Sequence, residues 1–111
     1  MGKFSKYAKD IKFVVGGEEI VLKRVKTEKL QELFNLSKDE DNLLVNLVKY
    51  FSEMLKKNYP DENPEEVEAF VQSNAMDLFA EFQIAYGLVK REDLEKKKKE
   101  ILEKQYEKQN K

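Results

Sequence analysis

Carboxylates, lysines and tyrosines are the side chains available for chemistry in this chain, which contains no histidine and no cysteine. Without histidine the commonest general base and the commonest transition-metal ligand are missing. Ser–His and Cys–His nucleophile pairs cannot form. Without cysteine there is neither a disulfide nor a thiolate metal site. Two acidic runs, Asp39-Glu40-Asp41-Asn42 and Asp61-Glu62-Asn63, resemble fragments of calcium loops. Neither has the glycine at position six or the glutamate at position twelve that such a loop needs, and helix-start chemistry explains both. Gly16-Gly17 is followed by a strand pattern and by no Gly-Lys-Ser/Thr, so it is a turn and not a phosphate loop. The run Lys96 to Lys99 is diluted by Glu95 and Glu100, and a solvated helix face accounts for it better than a phosphate or lipid site. Tyr7, Phe13 and Tyr50 lie near basic residues but lack the pattern of a base-stacking platform. The expectation is a protein that catalyses nothing and holds no cofactor or metal.

Composition narrows the class further. The chain has 111 residues, one domain's worth, with 41% hydrophobic and 39% charged side chains. The charged share is well above the usual ~25%. A folded core under a heavily ionised exterior satisfies both figures, whereas wholesale disorder requires low hydrophobicity with high net charge. With 21 basic and 22 acidic residues the net charge is −1, which lacks the cationic excess that drives binding to phosphate backbones. No nucleic-acid partner is expected. No apolar run approaches the ~20 residues of a membrane helix, and no apolar signal core follows the basic start, so no membrane partner is expected either. Cytoplasm is the expected compartment.

These properties direct attention to the elements that present surface. Residues 1–10 read as a mobile arm. The runs Ile11 to Val15 and Glu18 to Lys23, joined by Gly16-Gly17, predict a hairpin with a two-residue turn, since both central positions of a type I′ turn need positive φ. Val15 then faces Glu18, Phe13 faces Ile20 and Ile11 faces Leu22. One face of the hairpin carries Ile11, Phe13, Val15, Ile20 and Leu22, and the other carries Lys12, Val14, Glu19, Val21 and Lys23. Such a hairpin is marginal alone and must pack on helices or pair with another protomer. Thr27 is expected to cap a short helix with Leu30, Leu33, Phe34 and Leu36 inward. Ser37 and Glu40 form a capping box for a helix with a stripe of Leu44, Leu47, Val48, Phe51, Met54 and Leu55, ending near Asn58. Asn63, Pro64 and Glu66 start another helix with Val67, Phe70 and Val71 inward. A break is expected around Ser73-Asn74, with either residue capping afresh.

The next helix, roughly Ala75 to Tyr86, should stop at Gly87. Its main stripe is Leu78, Phe79, Phe82, Ala85 and Tyr86, and Met76, Ala80, Ile84 and Leu88 form a second apolar line. A helix apolar on nearly two sides is the central helix of the domain, or presents a surface to a partner, or both. The candidate partner-binding residues are therefore Val14, Val21, Met76, Phe79, Phe82, Ile84, Tyr86 and Leu88. Residues 11–89 make one globular domain, α+β and mostly helical, with a two-stranded N-terminal hairpin packed on four to five helices. Residues 90–111 carry nine basic and six acidic side chains, a charge of +3 against −4 for the remainder. Acid-before-base pairs such as Glu92–Lys96 and Glu100–Lys104 recur four apart, which supports an exposed helix or a tail that docks on a partner.

In its order of features the chain resembles the tail assembly chaperones of long-tailed bacteriophages. The likeness lies in the hairpin from Phe13 to Lys23, the passage through Thr27 into a short leucine-containing helix, the helical bundle and the charged C-terminal segment, over roughly residues 11–94. It implies a non-enzymatic role in virion assembly, in the host cytoplasm. Such proteins coat the tape measure protein, keep it soluble and help recruit tail tube protein around it, and they self-associate, so a homo-oligomer is expected. The family often also makes a longer form by ribosomal frameshift.

Overall fold

The computed structural model describes residues 2–93. At its N-terminal end Gly16 and Gly17 take φ of 59° and 79°, the positive values that a two-residue hairpin turn requires and that glycine adopts without a Cβ clash. That turn sets the register of β1 (Ile11–Val15) against β2 (Glu18–Leu22): Ile11 pairs with Leu22, Phe13 with Ile20 and Val15 with Glu18. Ile11, Phe13, Val15, Ile20 and Leu22 are all buried, so the apolar face of the hairpin is wholly covered. Preceding it, residues 2–10 are exposed, with one short 3-10 turn at Ser5–Ala8, and Arg24 Nε donates to the Lys9 carbonyl at 2.9 Å.

Three helices follow. Helix α1 (Thr27–Ser37) starts one residue earlier than expected: Thr27 is its first residue, Lys26 occupies the cap position, and no side chain caps it. Leu33 is buried, Leu30 and Leu36 pack partly against the core, and Phe34 stays half-buried. The expected capping box at Ser37 and Glu40 does not form. Ser37 ends α1, and its hydroxyl donates backward to the Phe34 carbonyl at 2.8 Å. A short 3-10 turn at Glu40–Asn42 leads into α2 (Leu43–Asn58), where Asn42 Nδ2 donates to Asp39 at 3.0 Å. Leu47, Tyr50, Phe51, Met54 and Leu55 face the core, whereas Leu44, expected inward, is exposed at the N-terminal end of the helix.

Helix α3 (Pro64–Ala85) begins as anticipated, with the Asn63 side chain accepting from the amides of Glu65 and Glu66 at 2.8 and 3.4 Å and Pro64 in the first turn. The expected break is a kink within one helix, at Asn74 (φ −132°, ψ 19°). Neither Ser73 nor Asn74 caps a new helix. Both donate to carbonyls four residues back, Ser73 to Ala69 and Asn74 to Phe70, each at 2.9 Å. Such bonds give side-chain donors to carbonyls of the preceding turn, the opposite of a cap's acceptor role, and bend the helix without ending it. At the other end Gly87 (φ 73°) donates to Ile84 and Leu88 donates to Gln83, both at 2.9 Å, the paired bonds of a Schellman stop.

The architecture is α+β and mostly helical. Helices α2 and α3 pack along one another, α1 covers α2, and the hairpin lies on both, β1 against α3 and β2 against α2. Four rings run through the centre. Tyr50 meets Phe51 at 5.3 Å, Phe51 meets Phe82 at 5.5 Å, both edge-on, and Phe82 meets Tyr86 at 4.8 Å. Each such pair adds ~0.5–1.5 kcal/mol beyond the area it buries. Burial, with smaller contributions from Glu32 and Tyr86, pushes the Tyr50 hydroxyl well above the usual tyrosine range, so it stays protonated and donates to the Lys29 carbonyl at 2.9 Å. The expected charged C-terminal helix, including Lys96 to Lys99, lies outside the described residues beyond Asp93.

The hairpin turn sits against the helix kink: a Cβ built on Gly16 would lie 3.0 Å from Asn74 Oδ1, whereas one on Gly17 meets nothing within 4 Å. Alanine at either position costs about 1–2 kcal/mol for holding a Cβ at positive φ. Gly16→Ala must also displace an anchored side chain. Urea titrations should show a larger loss for Gly16→Ala than for Gly17→Ala at unchanged m, and equal losses would mean that the turn does not bear on the kink.

Candidate partner-binding surface

A two-residue hairpin alternates hydrogen-bonded and non-hydrogen-bonded pairs outward from its turn. Here Val15–Glu18, Phe13–Ile20 and Ile11–Leu22 exchange bonds across the ladder, so the amides of Lys12 and Val14 on β1, and of Glu19 and Val21 on β2, point away from it. The two outer edges then diverge. Along β2 and its continuation, Val21 N donates to the Tyr59 hydroxyl at 2.8 Å, Lys23 N to Asn58 Oδ1 at 3.0 Å, and Val25 N to the Tyr86 hydroxyl at 2.7 Å. Three alternate amides are thus taken by side chains from the ends of α2 and α3. Asn58 is held in turn by donating to the Met54 carbonyl at 2.8 Å. Among the described residues no hydrogen bond reaches the outward amides of Lys12 and Val14 along β1, nor that of Glu19 beside the turn on β2, so β2 is occupied from Val21 onward.

Beside the β1 edge lies a groove of about 390 Å³ lined by Lys12, Phe13, Val14, Glu81, Ile84, Ala85 and Arg91. Arg91 closes back on α3 through a two-pronged ion pair with Glu81, at 2.9 and 2.8 Å. Glu81 is mostly buried and Arg91 more than half exposed, so the pair keeps its carboxylate satisfied while the guanidinium faces solvent. A second cavity of about 360 Å³, near the start of α3, is lined by Glu18, Glu19, Glu62 and Glu66 together with Leu55, Tyr59 and Phe70. Lys56 pairs with Glu68 on the surface.

The predicted partner-binding residues divide among these places. Val14 (61% exposed) and Ile84 come together in the groove along β1. Val21 lies on the opposite edge, half-buried, with its amide taken. Met76 (54%) and Leu88 (43%) are exposed on and just after α3. Phe79 packs partly against the core, and Phe82 is fully buried between Phe51 and Tyr86, so Phe82 is a core residue and presents nothing to a partner. Tyr86 is half-buried, with its ring 5.2 Å from the Arg24 guanidinium and its hydroxyl engaged, so it anchors the strand that leaves β2. Sequence reading missed Val45 (68%) and the exposure of Leu44 (56%), two adjacent apolar residues at the start of α2. It also missed Lys12, Glu81 and Arg91 as groove residues. By spacing Leu44 falls on the inward stripe and only Val45 off it, so Val45 alone carried a local signal, and nothing in the spacing links Glu81 to Arg91 across the stop at Gly87.

Among the described residues no group of three or more carboxylates is placed to hold a metal ion, and no helix is long and apolar enough to cross a membrane. Set against family models, curated proteins and solved structures, the chain has no match in any of the three.

Replacing Tyr59 by Phe keeps the ring and leaves the part-buried Val21 amide without its acceptor. Stranding such a donor costs about 1–3 kcal/mol. Tyr59→Phe should lower the stability from urea unfolding by that amount, while Tyr7→Phe at an exposed ring changes nothing. A neutral Tyr59→Phe would show that water replaces the hydroxyl and that the β2 edge is not closed by it.

Proposed function

We propose that this protein is a tail assembly chaperone of a long-tailed bacteriophage. In this reading it catalyses nothing, works in the host cytoplasm, coats the tape measure protein to keep it soluble, and helps recruit tail tube protein around it. One observation carries the reading: large apolar side chains stand exposed on three elements, at Val14 on β1, Leu44 and Val45 on α2, and Met76 on α3. In this reading these side chains supply the apolar contacts that a holdase for an apolar chain needs, distributed over a body kept in solution by charge. The 39% of charged residues provide that charge. The order of elements, hairpin, short helix, then a longer helical pair, agrees with the family layout.

A second reading, a small adaptor that adds a partner's strand to its sheet, is favoured by the outward amides of Lys12 and Val14, which no described residue accepts. It places the contact on β1, since the outward Val21 amide of β2 is occupied.

Co-expression with the tape measure protein of the same genome separates the two. The chaperone reading expects the tape measure protein in the soluble fraction, bound to this chain. Leu44→Lys combined with Val45→Lys should reduce the recovered complex severalfold with an unchanged circular dichroism spectrum. A tape measure protein left insoluble and unbound by the native chain would overturn the reading.

A further inference from the structure

Side chains from the helix ends occupy the β2 edge from Val21 onward, no described residue hydrogen-bonds along the β1 edge, and the β1 edge is self-complementary. We infer that a second copy of this chain pairs with β1, β1 against β1 and antiparallel about a two-fold axis, joining two hairpins into one four-stranded sheet. The pairing shares Val14 with the tape measure reading but rests on the backbone edge of β1, whereas that reading is tested at Leu44 and Val45 on α2, so either can fail without the other.

The backbone specifies the register. Strands related by a two-fold axis pair reciprocally, and all five residues of β1 find partners in one alignment only. It sets Ile11 opposite the partner's Val15, Lys12 opposite the partner's Val14, and Phe13 on the axis. Lys12 and Val14 carry the outward amides and carbonyls, so each of the two Lys12–Val14 pairs exchanges both of its bonds, four in all. Sliding by two residues one way sets Lys12 against the partner's Lys12, a like-charge pair that destabilises a sheet. Sliding the other way sets Lys12 against the turn at Gly16 and leaves three residues paired.

Charge supports the same register. Within one hairpin Glu19 stands beside Val14, and Val21 stands beside Lys12. Across the four strands the solvent face would read Glu19, Val14, the partner's Lys12, the partner's Val21. Each lysine then lies one strand beyond a valine from a glutamate of the other copy. Its aliphatic stem covers the exposed Val14 and its ammonium reaches toward Glu19. The row repeats in reverse about the axis, so two attractive pairs form, while the two lysines stand diagonally across the axis at roughly 7–8 Å, farther apart than in the register that sets them directly opposite. On the helix side the place beside β1 is the groove floored by Ile84 and Ala85, so the second strand has room there. Apart from Lys12, β1 carries none of the usual protections of an edge strand: it has no proline and no bulge, and no segment among the described residues hydrogen-bonds along it.

Sedimentation velocity over a concentration series of the full chain tests the pairing. The native protein should rise from the mass of one chain toward that of two. Val14→Pro removes an amide that does not face β2, so it should stay at one chain with an unchanged circular dichroism spectrum. The chain has no cysteine of its own, which allows a second test on otherwise native protein. Lys12→Cys mixed with Val14→Cys under mild oxidation should yield the mixed cross-linked dimer in excess over either homodimer. A native chain that stays single at every concentration would overturn the inference. So would a dimer that persists in a folded Val14→Pro protein, or cross-linking dominated by the Lys12→Cys homodimer. If Val14→Pro fails to fold, the cross-linking ratio decides.

Discussion

Two strands alone make at best a marginal sheet in water, because half of their amides point outward and these, with one apolar face, have no partner within the hairpin. In this protein the helices supply both. The apolar face rests on α2 and α3, and the outward amides of Val21, Lys23 and Val25 are accepted by Tyr59, Asn58 and Tyr86. These acceptors come from the last residue of α2, the residue after it, and the end of α3, so the positions of both helix ends bear on the sheet. The stop at Gly87 has the same role. Ending α3 with paired Schellman bonds leaves Tyr86 at the cap position with its hydroxyl within reach of Val25.

The core couples the same elements from inside. The ring series Tyr50, Phe51, Phe82, Tyr86 runs from α2 across to the end of α3, and its last member is also an acceptor for the strand. At the opposite end of the hairpin the turn meets the kink of α3, where Gly16 approaches Asn74 and Asn74 donates to Phe70. The helix bends at the place where the turn abuts it. One edge of the hairpin is thereby fastened to helices, and the other faces a groove whose wall is tied by the Glu81–Arg91 pair.

Much of this fold was legible in the sequence, for reasons that differ by element. The hairpin and its register followed from Gly16-Gly17 and strict alternation, because a period of two with a two-residue turn leaves one solution. The start of α3 followed from Asn63-Pro64, and its end from Gly87, where local chemistry decides. The Ser37–Glu40 capping box misled because its pattern is satisfied equally by a serine closing one helix, and the choice depends on how α1 packs on α2. The break at Ser73-Asn74 was placed correctly but taken for a cap, since the sequence does not reveal that both side chains bond backward. At the candidate surface, Val14 and Ile84 were found, but as members of separate patterns. Their shared groove depends on tertiary placement. Phe82 was taken as both stripe and surface because a helix apolar on two sides does not declare which side the core will occupy. The β2 closure by Tyr59 and Asn58 spans more than thirty residues and had no local signal.

The two edges of the hairpin differ, β2 being held from Val21 onward by helix-end side chains while no described residue hydrogen-bonds along β1, and native-state amide hydrogen exchange read residue by residue tests this directly. Val21 and Lys23 should exchange slowly at every protein concentration. Lys12 and Val14 should exchange fast in dilute solution and slow as concentration rises. Equal protection of the two edges in dilute solution, or fast exchange at Val21 and Lys23, would contradict it.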